Sequence, residues 1–393
     1  MSVTAAAAKT EVSVVIPCLN EAKTLTACIR MAAQTLRNAG IEGEVIVADN
    51  GSTDGSQAIA QAEGATLVRV PARGYGHALY HGLCAARGRY LVFLDGDMSY
   101  DFSHIPRFVQ ALRGGSDLVM GSRFRGKIAP RAMPPSHRYL GTPVLTALTH
   151  LFFGADITDV NCGMRGLSKD AFERLGLRAG GMEFASELLI KSLLLGMKVT
   201  EVPTDLYPDR RGGRPPHLRS WRDGWRHLRF MLLFCPTWLF LIPGTAMTLA
   251  GAALIGAIVA DLLPRVGLLT SLGAVAVTVL GAQVTFFGVA AHRVAQVRRW
   301  HARDGRLEAL LSRFTLEKGL VIGVLLSLAG AAVLGWTGAH VWRFMHMPGY
   351  RFGVLDLPAT RLAVLGSALL LAGIQTFFFS FFLSLLDIET VEK

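Results

Sequence analysis

The sequence predicts an α/β domain followed by an all-α transmembrane domain of about four helices. With 393 residues, the chain is long enough for two domains. Up to about Asp209 its apolar runs are short and broken by Gly, Asp and Arg. Beyond Trp238 the apolar runs become long and nearly uncharged, which is typical of helices that span a membrane.

The first part of the chain alternates strand-like runs with helical patterns. The runs are VSVVIP (12–17), EVIVAD (44–49), TLVRV (66–70), YLVFLD (90–95) and DLVMGSR (117–123). Helical patterns lie between them, over 21–38, from Asp54, over 77–87 and over 103–113. This alternation predicts a parallel sheet with right-handed crossovers, whose ligands bind beyond the carboxyl ends of the strands.

An acidic turn follows the fourth of these runs. The stretch FLDGDMSYD places Asp95, Asp97 and Asp101 within seven residues, directly behind an apolar run. Carboxylates this close repel one another and are costly to desolvate, so we expect a compensating cation. Grouped oxygen ligands suit Mg²⁺ or Mn²⁺, which take one or two carboxylates and complete the shell with water and substrate phosphate. The alternative is an acidic turn exposed to solvent.

Polar segments also follow the second and third runs. Asp49 and the NGSTDGS that follows it indicate a turn that caps a helix, or a carboxylate that accepts hydrogen bonds from a nucleotide, and the two interpretations are compatible. RGYGH, with Gly74 and Gly76, is similar to a glycine-rich loop that opens a helix toward a phosphate. All of these segments are expected at one edge of the sheet.

Four later stretches are long enough to span a bilayer. They cover 237–260, 266–291, 319–342 and 362–386, and about 24 residues of helix at about 1.5 Å each cross a hydrocarbon core of about 30 Å. We therefore expect the α/β domain over 1–215, an interfacial amphipathic helix over 216–236 and a membrane domain over 237–393. A basic loop over 292–318 joins the second span to the third.

The distribution of basic residues predicts the orientation. The 292–318 loop carries six arginines and Lys318, so the positive-inside rule places it in the cytoplasm. With an even number of spans, the first domain and the tail are then cytoplasmic as well. The first residues, MSVTAAAAKTE, have no apolar core long enough for a signal peptide. We expect an integral protein of the cytoplasmic (inner) membrane with a cytoplasmic catalytic domain.

The net charge of +11 indicates anionic partners. In a chain with a membrane domain, lipid phosphate and anionic substrates are the simplest candidates, and we expect no nucleic acid. The segment LRSWRDGWRHLRFMLLF interleaves Arg with Trp and Leu at helical spacing, so we expect it to dock on membrane headgroups. RLEALLSRF is expected along the same surface. The oligomeric state stays open, a homo-oligomer included.

The ordered motifs PCLNE, ADNGSTDGS, LDGDMSYD, GSRFRG, DVNCGMRGLS and GMEFASELLIKS make the chain resemble family 2 glycosyltransferases. The resemblance covers about residues 11–230 and is strongest to polyprenyl-phosphate sugar synthases related to the dolichyl-phosphate mannose and glucose synthases. It implies a GT-A fold, which is a Rossmann-like nucleotide-sugar-binding domain. Many relatives read DADxQ where this chain reads DGDMS, so Ser99 or Asp101 would replace a Gln as a metal contact.

The resemblance also implies roles for individual residues. Pro17, Asn20 and Glu21 would line the nucleotide pocket, and Asp49 would read the base. Asp97 would hold the metal, with Asp95 toward the ribose or diphosphate, and Ser99 is a further candidate ligand. Phosphate-facing roles are implied for two arginines, Arg123 and Arg165. Glu183 and Glu187, four residues apart, would lie near the acceptor, the alternative being an exposed helix face.

The chemistry of transferring a sugar to a lipid phosphate is consistent with the resemblance to polyprenyl-phosphate sugar synthases. A lipid phosphate is already an anion near pH 7 and needs no strong general base, but it must approach an anionic donor. Metal and arginine can supply that help. The run DRRGGRPPH, with Arg210, Arg211 and Arg214, is expected to close over the phosphates, the alternative being a basic linker to the membrane.

The sequence thus predicts an inverting transfer of one hexose from a nucleotide sugar, of the UDP-glucose or GDP-mannose type, to polyprenyl phosphate. One alternative is a processive polysaccharide synthase, because residues 296–300 spell the QxxRW motif of such enzymes. A second alternative is an inactive nucleotide-sugar-binding scaffold or a transporter. The nearly uncharged spans offer no polar pathway, which argues against a transporter.

Overall fold

The computed structural model describes residues 10–210, 220–263, 267–297, 315–346 and 357–386, and the chain divides into two compact units, Met1–Phe234 and Cys235–Lys393. Within the described residues the first unit has seven strands: β1 (Val12–Cys18), β2 (Gly43–Asp49), β3 (Thr66–Arg69), β4 (Tyr90–Phe93), β5 (Leu118–Ser122), β6 (Arg165–Ser168) and β7 (Val199–Pro203). Its α-helices are α1 (Leu25–Asn38), α2 (Ser56–Ala62), α3 (Tyr75–Ala85), α4 (Ile105–Arg113), α5 (Thr142–Phe153), α6 (Lys169–Leu175), α7 (Phe184–Leu194) and α8 (Ser220–Leu233).

The strands form one sheet in the order β3-β2-β1-β4-β6-β5-β7. β1 pairs in parallel with β2 and with β4, in registers that place Val12 opposite Gly43 and opposite Tyr90. The apolar side chains of β1 are buried on both faces of the sheet, as expected for a parallel strand covered by helices on both sides. The carboxyl ends of β1, β2 and β4 therefore meet at one edge.

All five strands that the sequence predicts are present, but the sheet is not wholly parallel. β6 inserts between β4 and β5 and runs antiparallel to both, with Phe93 opposite Arg165. The prediction of a parallel sheet is therefore wrong for β6, which the sequence pattern did not reveal. Its four residues, RGLS, carry neither an apolar run nor an alternating pattern, so only pairing with its neighbours makes them a strand.

The second unit is all-α within the described residues. Its helices are α9 (Ile242–Val259), α10 (Leu268–Val297), α11 (Leu316–Met345) and α12 (Leu357–Leu386). Four helical stretches are long and apolar enough to cross a membrane, namely Thr237–Val259, Leu268–Gln296, Leu316–Arg343 and Ala359–Leu386. The unit confirms the predicted all-α domain of about four helices.

Close helix packing holds the second unit together. α9 packs on α10 and α11 packs on α12, and α10 contacts α12 through the stacked rings of Phe286 and Phe379, whose centroids are 4.3 Å apart. A Cβ on Gly330 would lie 2.7 Å from the carbonyl oxygen of Gly366, so only glycine allows α11 and α12 to approach this closely. Small residues at such contacts are typical of helices that pack in lipid.

Several expectations fall outside the described residues. These are the structure of RLEALLSRF, the last three residues of the QxxRW motif, and Arg211 and Arg214 of the arginine-rich run. Among the described residues, α8 occupies most of the segment expected to be an interfacial helix and belongs to the first unit. It packs on α5 and α7.

Candidate active site

The acidic turn leaves the sheet directly after β4. Asp97 is 7% exposed, and its Oδ1 accepts a hydrogen bond from the backbone N–H of Ser99 at 2.9 Å. Ser99 is buried too, and its carbonyl oxygen accepts the N–H of Tyr207 at 2.8 Å. The turn is thus fixed inside the protein, which makes the alternative of a solvent-exposed acidic turn wrong for Asp97.

Asp95 is held by an aromatic residue that the sequence analysis did not single out. The hydroxyl of Tyr75 donates to Asp95 Oδ1 at 3.1 Å. Burial, and after it the negative charge of Asp95, raises the pKa of Tyr75 well above its usual range, so this hydroxyl keeps its proton. On the other side, a Cβ on Gly163 would come within 2.6 Å of Asp95 Oδ2. The DVNCG segment therefore borders the acidic turn, and glycine leaves room for the carboxylate.

The loops after β1 and β2 interlock beside this turn. Asp49 is 1% exposed, and its carboxylate accepts the N–H groups of Gly51 and Ser52 and the side-chain amide of Gln57. These hydrogen bonds form the predicted turn, whereas the predicted helix cap is wrong, because α2 begins after Gly55 and has no side-chain cap. Asn20, at a left-handed φ of 60°, accepts the N–H of Thr53 through its Oδ1 at 2.8 Å. The predicted nucleotide residues of the two strands thus belong to one hydrogen-bonded edge.

Two other residues predicted for the nucleotide pocket lie at the same edge. Pro17 is half-buried near the end of β1, opposite Ala48 of β2. Glu21 is 6% exposed, and its N–H donates to Ser56 Oγ at 3.0 Å. The edge therefore brings together the predicted residues of the first two loops, and their contact with a nucleotide stays a prediction.

Asn50 joins these loops to the RGYGH segment and was not predicted. Its Oδ1 accepts the N–H of Gly74 at 2.7 Å, and its Nδ2 donates to the carbonyl oxygen of Ala72 at 2.7 Å. Asn50 therefore fixes the start of α3 and with it the position of Tyr75. The sequence feature that could have identified Asn50 is its position directly after Asp49 at a strand end, where ligands bind in α/β sheets.

The glycines of RGYGH lie against a second loop, residues 178–181. The N–H of His77 donates to the carbonyl oxygen of Gly180 at 3.1 Å, and Gly74 has a φ of 145°, which favours glycine. Side chains on Gly74 or Gly76 would clash with the backbone of Ala179 and Gly180. This contact alone accounts for both glycines, and their predicted role in binding a phosphate stays a prediction.

We expect Gly76→Ala to lower the melting temperature and to weaken nucleotide binding. The added Cβ would lie 2.8 Å from Gly180 C and from Gly181 O, and overpacking of this kind costs about 1–3 kcal/mol. Thermal unfolding of the full-length protein in detergent and titration with UDP and GDP measure both effects. Gly224→Ala on α8 is the matched control, because its Cβ meets nothing within 4 Å. A Gly76→Ala variant as stable as this control contradicts the prediction.

Arg123 follows β5 and forms a bidentate ion pair with Asp159 of the DVNCG segment. Its Nε lies 2.6 Å from Asp159 Oδ2 and its Nη2 lies 2.7 Å from Oδ1. Asp159 is fully buried, and its N–H donates to Glu201 Oε1 of β7 at 3.1 Å. Arg123 was expected to face phosphate, but this guanidinium is engaged with a buried carboxylate. Asp159 lies within a motif that the sequence analysis quoted, yet its pairing over 36 residues was not predicted.

The expectation that Arg165 faces a phosphate is wrong. Its side chain is 1% exposed and donates to the carbonyl oxygens of Cys162 and Val160, at 2.9 Å each, and of Ala185. Burial lowers the pKa of this guanidinium. Arg165 therefore fixes the DVNCG segment against the first turn of α7 and acts on the site only through the backbone that it holds.

Glu187 is not on an exposed helix face, so that alternative is wrong for it. It is 3% exposed, pairs with Lys191 at 2.8 Å, and accepts the N–H groups of Arg178 and Ala179 at 2.9 and 2.7 Å. It thereby holds the 178–181 loop that packs on RGYGH. Glu183 is the N-cap residue of the same helix, and its Oε2 is buried with no hydrogen-bond partner among the described residues.

The arginine-rich run begins beside the acidic turn. The backbone N–H of Arg210 donates to the carbonyl oxygen of Asp97 at 3.1 Å, and Arg210 itself is exposed. Two hydrogen bonds, this one and the one from Tyr207 to Ser99, tie the segment after β7 to the turn. The described part of the run therefore starts at the predicted metal ligand.

The donor set of the turn fits a divalent cation of the Mg²⁺ type. Asp97 and Asp95 offer carboxylate oxygens, which Mg²⁺ and Mn²⁺ prefer. Within the described ranges, no cluster of three or more His, Cys, Asp or Glu residues could hold a metal ion. Mg²⁺ sites usually complete one or two carboxylates with water and a bound phosphate.

In open α/β sheets ligands bind beyond the carboxyl ends of the strands, and here that edge carries the buried carboxylates Asp49 and Asp97, with Arg210 bonded to the backbone of Asp97. Two family models match the chain. Glycosyl transferase family 2 covers residues 13–176, and the Glycosyltransferase family 2 C-terminal transmembrane region covers residues 289–387.

Individual proteins are similar as well. The chain is 36% identical to the low-salt glycan biosynthesis hexosyltransferase Agl6 of Haloferax volcanii, over 90% of this chain and 85% of that protein. It is 33% identical to the glycosyltransferase AglD of the same organism, over 52% of this chain but only 34% of AglD. A solved structure of glucosyl-3-phosphoglycerate synthase from Mycobacterium tuberculosis is 26% identical, with a TM-score of 0.46 over 58% of this chain and 81% of that chain.

The chain belongs to glycosyltransferase family 2. The transmembrane-region model and the four apolar helices make it a membrane glycosyltransferase. The family resemblance of the ordered motifs is thereby confirmed, and so is the predicted enzyme class.

Proposed function

We propose that the protein transfers a single hexose from a nucleotide sugar to polyprenyl phosphate, with inversion, at the cytoplasmic face of the cytoplasmic membrane. The observation that carries the proposal is the hydrogen bond from Arg210 N to Asp97 O. It attaches the start of an arginine-rich segment to the acidic turn, in a chain that continues into four apolar helices. Donor phosphate, acceptor phosphate and lipid thus have adjacent binding elements along one chain.

The donor is a nucleoside diphosphate hexose of the UDP-glucose or GDP-mannose type. The name of Agl6, a hexosyltransferase, supports a hexose. The interlocked loops with Asn20 and Asp49 bind the nucleotide, and Asp95, held by Tyr75, lies toward its ribose or diphosphate. Because these loops are cross-linked by hydrogen bonds, the pocket is largely formed before the donor arrives, which lowers the entropy cost of binding.

Asp97 and Asp95 would hold a Mg²⁺ or Mn²⁺ ion, whose positive charge would offset the negative charge of the departing diphosphate. The chain keeps these carboxylates in place through the N–H of Ser99 and the hydroxyl of Tyr75. Ser99 Oγ and Asp101 stay open as further ligands.

The transfer itself needs little proton chemistry. An oxygen of the acceptor phosphate forms the bond to the anomeric carbon, and the bond from that carbon to the diphosphate oxygen breaks with both electrons leaving on the diphosphate. The acceptor is already an anion near pH 7, so the protein must mainly bring two anions together. Arg210, Arg211 and Arg214 provide positive charge for this, since guanidinium groups bind phosphate oxygens in pairs.

The expected product is a lipid that carries one sugar. Full-length protein in liposomes, given radiolabelled UDP-glucose or GDP-mannose and a polyprenyl phosphate, should produce label that is soluble in chloroform and migrates as a single-sugar lipid. A donor panel identifies the sugar and the nucleotide. A long water-soluble polymer would instead support a processive synthase, and no transfer with any donor would support an inactive scaffold, so either result overturns the proposal.

A further inference from the structure

One helical surface of the first unit exposes large apolar side chains. A single turn of π-helix over His137–Gly141 leads directly into α5. The exposed fractions are 73% for Tyr139, 65% for Leu140, 46% for Val144 and 51% for Leu151. Leu140, Val144 and Leu151 follow the spacing of one helical face. Soluble surfaces rarely carry such a stripe unless something covers it.

α8 packs beside α5 and also exposes large apolar side chains. The hydroxyl of Thr149 on α5 lies 3.8 Å from the sulfur of Met231 on α8. On α8, Trp225 is 57% exposed and Leu233 is 66% exposed. We name the exposed apolar side chains of both helices the docking face: Tyr139, Leu140, Val144, Leu151, Trp225 and Leu233.

The segment that contains α5 is basic. Residues 118–155 contain four arginines and one lysine but no Asp or Glu. Of these cations Lys127, Arg131 and Arg138 are exposed, whereas Arg125 lies 3.3 Å from the carboxylate of Glu201. On α8, Arg222 and Arg229 are exposed as well. A partner that covers this face must therefore present apolar material together with negative charge.

Chain connectivity indicates which partner that is. α8 ends at Leu233 and the first span begins at Thr237, so only three residues of chain separate Leu233 from the first span. A bilayer that contains anionic lipids offers both the apolar region and the negative charge. A second copy of this face would bring the same positive charges together, which opposes self-association.

We propose that α5 and α8 together dock the first unit on an anionic lipid surface, with the docking face in the interfacial region and the arginines at the headgroups. The sequence indicated lipid contact for the α8 segment and for RLEALLSRF, so α5 is the new part. The inference goes beyond the proposed function and does not depend on the identity of the sugar or the acceptor.

Fluorescence quenching in nanodiscs tests it on the full-length protein. Leu140→Cys and Leu151→Cys each carry an environment-sensitive fluorophore, in a Cys84→Ser background because Cys84 is exposed while the other four cysteines are buried. Ala62→Cys on α2, also exposed, is the matched control. Lipids spin-labelled near the headgroup should quench positions 140 and 151 about twofold or more, and quenching should rise with phosphatidylglycerol content. Position 62 should not respond.

Two results overturn the proposal. One is the absence of quenching at 140 and 151 beyond that at position 62. The other is efficient cross-linking of two copies through position 140 without quenching, which identifies a second copy as the occupant. Val144→Glu is the second variant: it should reduce quenching at position 151 while UDP or GDP binding stays unchanged, which shows that the first unit is still folded.

Discussion

Replacing Asp97 by alanine is expected to lower the rate of sugar transfer by about 10²–10³-fold, the usual effect of removing one group that stabilises developing charge. Asp97 is 7% exposed and is the best single ligand for the proposed cation. Its loss leaves the departing diphosphate without that compensation. The measurement is the initial rate of formation of the single-sugar lipid by purified protein in liposomes.

A second measurement distinguishes the effect of Asp97 on metal-dependent nucleotide binding from its effect on the rate of sugar transfer. Titration with UDP or GDP should show tighter binding when Mg²⁺ or Mn²⁺ is added to the wild type, and no such increase in Asp97→Ala. Asp101→Asn is the control, because Asp101 caps the N–H of Ser103 at 2.8 Å and asparagine caps equally well. If Asp97→Ala transfers sugar at the wild-type rate with normal metal dependence, its proposed role is wrong. A rate loss in Asp101→Asn as large as that in Asp97→Ala would identify Asp101 as a ligand.

Arg165→Ala is expected to unfold or severely destabilise the first unit. The substitution removes one buried side chain that donates to three carbonyl oxygens, on Val160, Cys162 and Ala185. Each buried acceptor left without a donor costs about 1–3 kcal/mol, so the loss is of the order of 5 kcal/mol. That is comparable with the whole stability of many domains. Pulse proteolysis of the full-length protein in increasing urea measures the loss.

Matched arginine variants make this test specific. Arg30→Ala removes an ion pair with Glu63 that lies in solvent, so its effect on stability should be small beside that of Arg165→Ala. Arg165→Lys keeps the charge but cannot reach three carbonyl groups, so it should recover only part of the stability. An Arg165→Ala protein that is as stable as the wild type, yet binds nucleotide or lipid phosphate poorly, would restore the phosphate-facing role that the structure does not support.

Much of the architecture could be predicted because its signals are local. Five strands were visible as apolar runs, and the four long helices followed from length and lack of charge. The acidic turn was visible because Asp95 and Asp97 directly follow an apolar strand. β6 was missed because four residues with no pattern become a strand only between β4 and β5.

The candidate site was harder to predict than the fold. Arg123 and Asp159 are 36 residues apart, and the N–H of Arg178 meets the carboxylate of Glu187 across a loop. The spacing of residues along the sequence cannot reveal such pairs, because a side chain near a strand end can point into the protein or toward the ligand. The DVNCGMRGLS motif therefore identified Arg165 as a candidate site residue, but it did not reveal which groups the guanidinium binds.

The sequence by itself determined the order of the domains, the edge of the sheet that carries the polar loops, and the acidic turn, since each follows from the periodicity of apolar residues along the chain. Tertiary structure decided which charged groups are available for chemistry. Arg165 and Glu187 are buried and engaged with backbone groups, whereas Arg210 is exposed beside Asp97. The physical reason is that a buried charge is costly without partners, and some of the partners of Arg165 and Glu187, on Ala185 and on Arg178 and Ala179, belong to other segments that only folding brings near.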